Sequence, residues 1–232
     1  EGTARRAKFI YINYPNNPTG AVATKAFYEK LVAWAKTYEV GVVSDLAYGA
    51  LGYRGYENPS FLSTPGAKDV GIEFYTFSKT FNMAGWRLAF AAGNDQMIEA
   101  LNLIQDHLFV GIFPALQEAG ITALLDPKSE EAVAQLNATY DSRRDAFVQA
   151  AAKIGWKAFP SKGSFYAWMP VPEGYTSESF ADLLLEKAHV AVAPGKGFGP
   201  AGDAYVRIGL LVEPERLVEA VDRIANLQLF NN

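Results

Sequence analysis

Residues 71–93 read GIEFYTFSKTFNMAGWRLAFAAG. The apolar run Ile72–Phe77 stops at Ser78-Lys79, and a second run, Leu88–Ala92, stops at Gly93. Both have the length of a buried strand and are closed by polar or turn residues. Two earlier runs follow the same pattern. Phe9–Ile12 leads into the turn NNPTG at 16–20, and Val40–Val43 ends at Ser44-Asp45. Between them, Thr24 is placed to cap a helix whose apolar face is Phe27, Leu31, Trp34, Ala35 and Tyr38. Strands separated by helical or loop crossovers point to an α/β fold with a parallel sheet. In such sheets, polar residues just past the carboxyl ends of strands face the ligand crevice. Asn17, Asp45 and Lys79 all hold that position.

The 232 residues are enough to bury a full core, in one large domain or in one domain plus a smaller one. Lys+Arg 21 against Asp+Glu 25 leaves a net charge of −4, with no basic excess for phosphates, which argues against nucleic acid as a partner. Half the residues are hydrophobic and 20% charged, a globular balance rather than a disordered one. No apolar run reaches the roughly 18–20 residues of a membrane span, and no signal peptide is read at the start, so no membrane partner is expected. The absence of cysteine excludes disulfides and thiolate metal sites and fits a reducing cytoplasm. His107 and His189 are too far apart in the chain to suggest a metal site.

The middle of the chain reads as helical. Asn94 caps Gln96–Phe109, Pro114–Leu125 forms a further helix, and a long pattern runs from Pro127 to Ile154, closed by Gly155. That length exceeds an ordinary globular helix, so residues 127–154 read as a spine linking two domains, 1–126 and 155–232. The remainder reads as α+β, with strands near Trp156–Phe159, Phe165–Met169, Val190–Ala193 and Tyr205–Ile208, and helices at Ser177–Ala188 and Pro214–Leu229. PGKGFGPAG, at 194–202, is glycine-rich but lacks the spacing of a Walker phosphate loop.

Lys79 draws attention through its neighbours. A lysine that forms a Schiff base must lose its proton near neutral pH, which burial and nearby positive charge favour. Thr76, Ser78 and Arg87 add hydroxyls and a guanidinium, the partners a phosphate monoester needs. Together they suggest a phosphorylated aldehyde held covalently. Asp45, at the end of a buried strand, needs a partner. It is either a cap or ion pair, or an anion facing a heteroaromatic nitrogen and keeping it protonated. Tyr48 and Asn17 are placed to donate to an oxygen of the same ring.

YPNNPTGAV, SDLAYGAL, FYTFSKTFNMAGWRLAFAAGN and YVRIGLL, in this order and spacing, resemble the pyridoxal-phosphate aminotransferases of fold type I, class I/II. The resemblance covers essentially the whole chain. It implies a partial three-layer α/β/α large domain, the long connecting helix and a small α+β C-terminal domain. It implies pyridoxal 5′-phosphate as cofactor and amino transfer between an L-amino acid and a 2-oxo acid through pyridoxamine phosphate. Lys79 matches the Schiff-base lysine and proton carrier, and Asp45 the partner of the pyridinium nitrogen. Tyr48 and Asn17 match the partners of the ring's phenolic oxygen, and Thr76, Ser78 and Arg87 lie in the phosphate-binding segment. Arg207, in YVRIGLL, matches the arginine that grips the substrate carboxylate, with Asn17 beside it. A homodimer in the cytoplasm is implied as well.

By the same resemblance, roughly 150 further residues, a domain-sized stretch, are expected before this chain. They would supply the first strands of the large domain, a phosphate loop, an aromatic stacked on the ring and part of the dimer interface. Aspartate, aromatic, diaminopimelate and methionine-salvage substrates all fit. Two other readings stay open: a C–S lyase on the same scaffold, and the ligand-sensing domain of a transcription regulator. By the resemblance Phe165 and Tyr166 in GSFYAW lie near the expected substrate pocket, but as aromatic strand residues they are read as core, and the four tryptophans as core or interface packing.

Overall fold

The computed structural model describes residues 2–230; residues 1, 231 and 232, at the limits of the expected domains, lie outside it. The chain divides into two compact units. The first takes the chain up to Pro15 and Val22–Leu136, the second Asn16–Ala21 and the chain from Asn137 onward.

The first unit is built on a four-stranded sheet of β1 (Phe9–Asn13), β2 (Gly41–Asp45), β3 (Gly71–Thr76) and β4 (Ala89–Gly93), in that spatial order. β1, β2 and β3 are parallel, whereas β4 runs antiparallel to β3. The expected all-parallel sheet is therefore a mixed one. The reason is the 77–88 connection, which holds only a single-turn helix α3 (Phe77–Thr80) and a 3₁₀ turn. A parallel return usually crosses over through a full helix, which this connection lacks.

Helix α1 (Lys25–Tyr38) starts where expected, with the Thr24 hydroxyl accepting the Phe27 N–H, a cap worth about 1 kcal/mol. Its buried face is Tyr28, Leu31, Val32 and Ala35, not the stripe through Phe27, Trp34 and Tyr38. The i, i+3, i+4, i+7 set lies against Ile12, Val42 and Phe61, and the larger aromatics pack along its margin. A short helix α2 (Ala67–Val70) precedes β3, and α4 (Asp95–Leu108) and α5 (Pro114–Leu125) follow β4. Asn94 caps α4 through the Met97 N–H. The opposite face of the sheet is thinly covered, with Phe9 60% and Tyr11 65% exposed. An apolar groove of about 450 Å³ lies between Phe9, Val43 and Ile72 on one side and Met97, Leu101 and Ile104 on the other.

The division between the units falls inside α6 (Ser129–Lys153). The second unit has a three-stranded antiparallel sheet, in the order β5 (Tyr166–Pro170), β7 (Tyr205–Gly209), β6 (Ala193–Pro194). Residues 156–159 form no strand, and the expected 190–193 strand is reduced to β6. Trp156 serves the core instead: it packs on Phe147, Phe180 and Phe230, and its indole N–H donates to the Pro170 carbonyl at 2.7 Å. Each such ring pair adds about 1 kcal/mol beyond burial. Helix α7 (Ser177–Leu183) opens with a Thr176–Ser179 capping box and passes into a π turn through Ala188. Helix α8 (Pro214–Ala225) buries Leu217, Val221 and Ile224. No helix among the described residues is long and apolar enough to cross a membrane.

Candidate active site

In the first unit, parallel pairing places Asn13 opposite Asp45 and Asp45 opposite Phe74, so the carboxyl ends of β1, β2 and β3 share one sheet edge. Asp45 is the last residue of β2 and Thr76 the last of β3. The Asp45 Oδ2 accepts from the Tyr11 phenol at 3.1 Å, and the Asp45 carbonyl accepts from Asn13 Nδ2 at 3.1 Å. Burial, then the Asp45 charge and this bond, raise the Tyr11 pKa. Tyr48 is buried on the loop after β2. That loop is knitted by Asn58 Nδ2, which donates to the Gly49 and Leu51 carbonyls.

Lys79 is half-buried on α3, and its turn is pinned at the neck. The Phe77 N–H donates to the Leu88 carbonyl at 3.2 Å, and the Thr76 hydroxyl accepts the Ser78 N–H at 3.1 Å. Phe77 and Leu88 are buried in a small apolar cluster. Gly120 of α5 lies so close that a Cβ there would stand 2.7 Å from the Leu88 side chain. Thr80 anchors the other end through a 2.7 Å contact between its hydroxyl and the Tyr75 phenol. Thr76, expected as a phosphate ligand, thus also caps the turn. Arg87 is exposed, and its Nη1 donates to the Ala84 carbonyl at 2.9 Å.

Behind this edge, on the α1 side, lies a buried carboxylate that the sequence reading passed over. Glu73 accepts from the Ser44 hydroxyl at 3.0 Å and the Phe61 N–H at 2.8 Å, and also from the Ser60 hydroxyl. It ties the far end of the Tyr48 loop to the sheet. Burial first, then the Glu73 charge, push the Tyr28 phenol well above its ordinary range.

The second unit holds Asn17 and Arg207. The NNPTG turn closes on itself, with Asn16 Oδ1 accepting from the Thr19 N–H and hydroxyl. Gly20 has φ +69°, and a Cβ there would fall 2.1 Å from Ser161 Oγ, so the turn packs against 161–163 only as glycine. This contact brings Asn17 Oδ1 within 2.6 Å of Arg207 Nη1. The half-buried Arg207 also lies over the rings of Tyr166 and Phe198, at 4.2 and 4.7 Å from guanidinium carbon to ring centre. These partners are all neutral: an amide oxygen and two ring faces. A cation kept partly out of water with neutral company can pair with an anion, since pairing would offset its desolvation.

The family model for aminotransferase class I and II matches residues 1–224. The chain belongs to the aminotransferase class I and II family. Within that family, it is 59% identical over 225 residues to the L-glutamine–4-(methylsulfanyl)-2-oxobutanoate aminotransferase of Bacillus subtilis, covering 97% of this chain and 56% of the relative. It is 49% identical to the LL-diaminopimelate aminotransferase of Moorella thermoacetica, covering 95% of this chain and 56% of that one. Among solved structures, apo-BacF from Bacillus subtilis matches with a TM-score of 0.94 at 46% identity, over 100% of this chain and 59% of its own. An aminotransferase from Staphylococcus aureus matches at 0.95 and 40% identity, over 100% and 61%. The chain thus spans little more than half the length of these family members.

Tyr11 and Phe198 are contacts the sequence reading did not single out, and Tyr166, read there as a packing residue, lies under the Arg207 guanidinium. For Tyr166 a signal existed: Trp168 pairs with Arg207 across β5 and β7, so the period-2 rule places Tyr166 on the same face, one step along the diagonal. Phe198 lies in an irregular loop, where no periodicity applies.

Proposed function

We propose that the protein carrying this chain transfers an amino group between an L-amino acid and a 2-oxo acid, with pyridoxal phosphate as cofactor. The observation that carries this reading is the pinned turn presenting Lys79 on the sheet edge that also ends in Asp45. The donor set fits the cofactor: a carboxylate for a ring N–H, a buried phenol for a ring oxygen, and hydroxyls with a guanidinium for a phosphate. When bound, pyridoxal phosphate supplies an aldehyde for amine condensation and a ring that withdraws electrons once its nitrogen carries a proton.

The protein's residues do the rest. Asp45 holds the proton at the ring nitrogen, and Tyr11, donating to Oδ2, orients that carboxylate. Tyr48 donates its phenol to the ring oxygen. Ser78, Thr76 and Arg87 hold the phosphate. The Lys79 amine would be the base that takes the proton from the substrate Cα and gives it back after the amino group has moved. Arg207, with Asn17, receives the substrate α-carboxylate in a planar two-bond fork. A cytoplasmic homodimer belongs to the same reading. It is supported by the absence of cysteine and by the exposed apolar residues Leu108, at the end of α4, and Phe109, Val110 and Phe113, between α4 and α5.

The test is a panel of amino donors and oxo-acid acceptors. L-Glutamine with 4-(methylsulfanyl)-2-oxobutanoate comes first, because a 59%-identical relative is named for that pair. The expected result is stoichiometric exchange of amino acid for oxo acid, lost in Lys79→Ala together with the borohydride-trapped cofactor on this residue. Release of pyruvate and ammonia without an acceptor would instead identify a C–S lyase. No turnover, with a DNA-binding domain elsewhere in the same protein, would identify a ligand sensor.

A further inference from the structure

Phe198 is 41% exposed, so burial explains little of its place in the fold. Its surroundings are nonetheless tightly built. The limbs of its loop meet at Gly195 and Gly202, where a Cβ on either would fall 2.2 or 2.1 Å from the other's carbonyl oxygen. The loop is tied to the start of α7 on both sides. Lys196 N–H donates to the Ser177 hydroxyl at 3.2 Å, that hydroxyl donates to Asp203 Oδ1 at 2.8 Å, and the Lys196 ammonium pairs with Glu178 at 2.7 Å. These bonds lower the Asp203 pKa, through Ser177 first, and raise that of Lys196, through Glu178 first. What this construction carries at its tip is the Phe198 ring, 4.7 Å from the Arg207 guanidinium carbon and edge-on to Trp168. Tyr166, on the rigid strand β5, supplies the second ring at 4.2 Å.

We infer that Phe198 is a positioning residue for carboxylate recognition, its ring fixing the plane of the Arg207 fork. The inference rests on the reading that Arg207 binds the substrate carboxylate. A guanidinium gains its advantage over an ammonium from presenting two parallel N–H groups in one plane, and that advantage is lost if the plane rotates. Asn17 fixes one N–H at Nη1, but a single bond leaves rotation about its own axis. A ring over the guanidinium removes that freedom by cation–π attraction, which favours one stacked orientation and takes no N–H from the incoming ligand. The ligand class follows: a free carboxylate on the substrate, with an amide or ester in its place rejected.

The test uses the holoenzyme and compares Phe198→Leu, Phe198→Tyr and Arg207→Lys. Phe198→Leu is expected to raise KM for amino donor and oxo acid by about fivefold to tenfold, within the range of a lost cation–π contact, with kcat within about twofold. The dissociation constant of 3-phenylpropanoate, an unreactive carboxylate, measured by calorimetry, is expected to rise by the same factor. That of 3-phenylpropanamide should not change. Phe198→Tyr should restore both values. If Arg207→Lys weakens 3-phenylpropanoate and Phe198→Leu does not, the inference fails while the Arg207 reading stands. If Arg207→Lys changes neither quantity, the reading itself fails and the inference with it. Should Phe198→Leu not fold, Phe198→Met carries the same comparison. A parallel loss of kcat and thermal stability without rescue by tyrosine would reduce Phe198 to a packing residue and overturn the inference.

Discussion

Arg207 and Asp45 carry opposite charges on strands of two different sheets, and the protein supports them in opposite ways. Arg207 is held by an amide and two aromatic rings drawn from three separate segments of its own unit. None of these partners cancels its charge. Asp45 takes one phenol donor from the neighbouring strand, and that phenol is 65% exposed on the thinly covered sheet face. Its edge also carries Lys79 and Arg87 on the 77–88 connection, so both signs of charge occur along one rim. The second unit therefore sets its cation among neutral partners. The first sets charges of both signs along one sheet edge. Substitutions should separate the two designs: changes at the divided edge alter chemistry, and changes at the cradle alter affinity.

Between these two sites, the larger effect is expected at Asp45. Asp45→Ala should slow proton removal from the substrate Cα by about a hundredfold, the scale of losing one preorganised electrostatic partner, while some cofactor remains bound. Single-turnover rates with α-deuterated donor measure this step directly. Near-normal rates with an unchanged isotope effect would remove Asp45 from the chemistry and erase the contrast with Arg207. Tyr11→Phe, which takes away only the donor to Oδ2, should shift the same rate a few-fold.

Gly20→Ala comes next and concerns the cradle's assembly. The new methyl group would meet Ser161 Oγ at 2.1 Å, and the backbone there is left-handed at φ +69°. A cost of about 2 kcal/mol is expected from overpacking and strain together, read as a lower midpoint in thermal unfolding. Removing the Ser161 side chain in a Ser161→Gly background should recover part of it, because the φ penalty and the Gly163 carbonyl at 3.0 Å remain. Full recovery would show that the conformation at Gly20 costs nothing and that the turn docks through side-chain fit alone.

These two sites also mark how far the sequence could be read. The strands around Asp45 and Lys79 were legible because short β-branched runs closed by polar residues leave few alternatives, and the Thr24 and Asn94 caps were found for the same local reason. The direction of β4 was not legible: it depends on how little helix the 77–88 connection contains, a tertiary outcome rather than a periodicity. The α1 face was read in part: Leu31 and Ala35 are buried as expected, but the stripe is centred one step round the helix, on Tyr28 and Val32 rather than on Phe27 and Tyr38. At the site, Asn17 and Arg207 were each found through motifs, but their 2.6 Å contact spans 190 residues. It arises because a turn next to β1 packs on 161–163. The Phe198 contact was out of reach, since loop conformation has no repeat to follow.

Arg207→Lys sharpens the cradle's side of the comparison at a smaller scale. Lysine keeps the charge but replaces the planar fork with a compact ammonium, so KM for the amino donor should rise about tenfold, roughly 1.4 kcal/mol. kcat should change less. An equal fall in kcat and kcat/KM would mean that Arg207 acts only in the transition state and would place it with Asp45 rather than opposite it.

The smallest effect appears only in alkali and concerns the two cores rather than the two charges. Tyr28 is 1% exposed, and burial, helped by the Glu73 charge and by Tyr14 and Tyr56, raises its phenol far above the ordinary value against the opposing bond to Ser44. The folded chain keeps this proton where the unfolded chain, titrating near pH 10, releases it. The stability it contributes is therefore fully present below about pH 10 and is lost above it, at up to about 1.4 kcal/mol per pH unit. In the second unit, Tyr140 is raised chiefly by burial, but Arg143 opposes the shift, so its share of the slope is smaller. Denaturant unfolding between pH 9 and 11.5 should show Tyr28→Phe flattening the loss and Tyr140→Phe changing it less. The reverse order would mean that the second core, and not the sheet beneath α1, yields first to base.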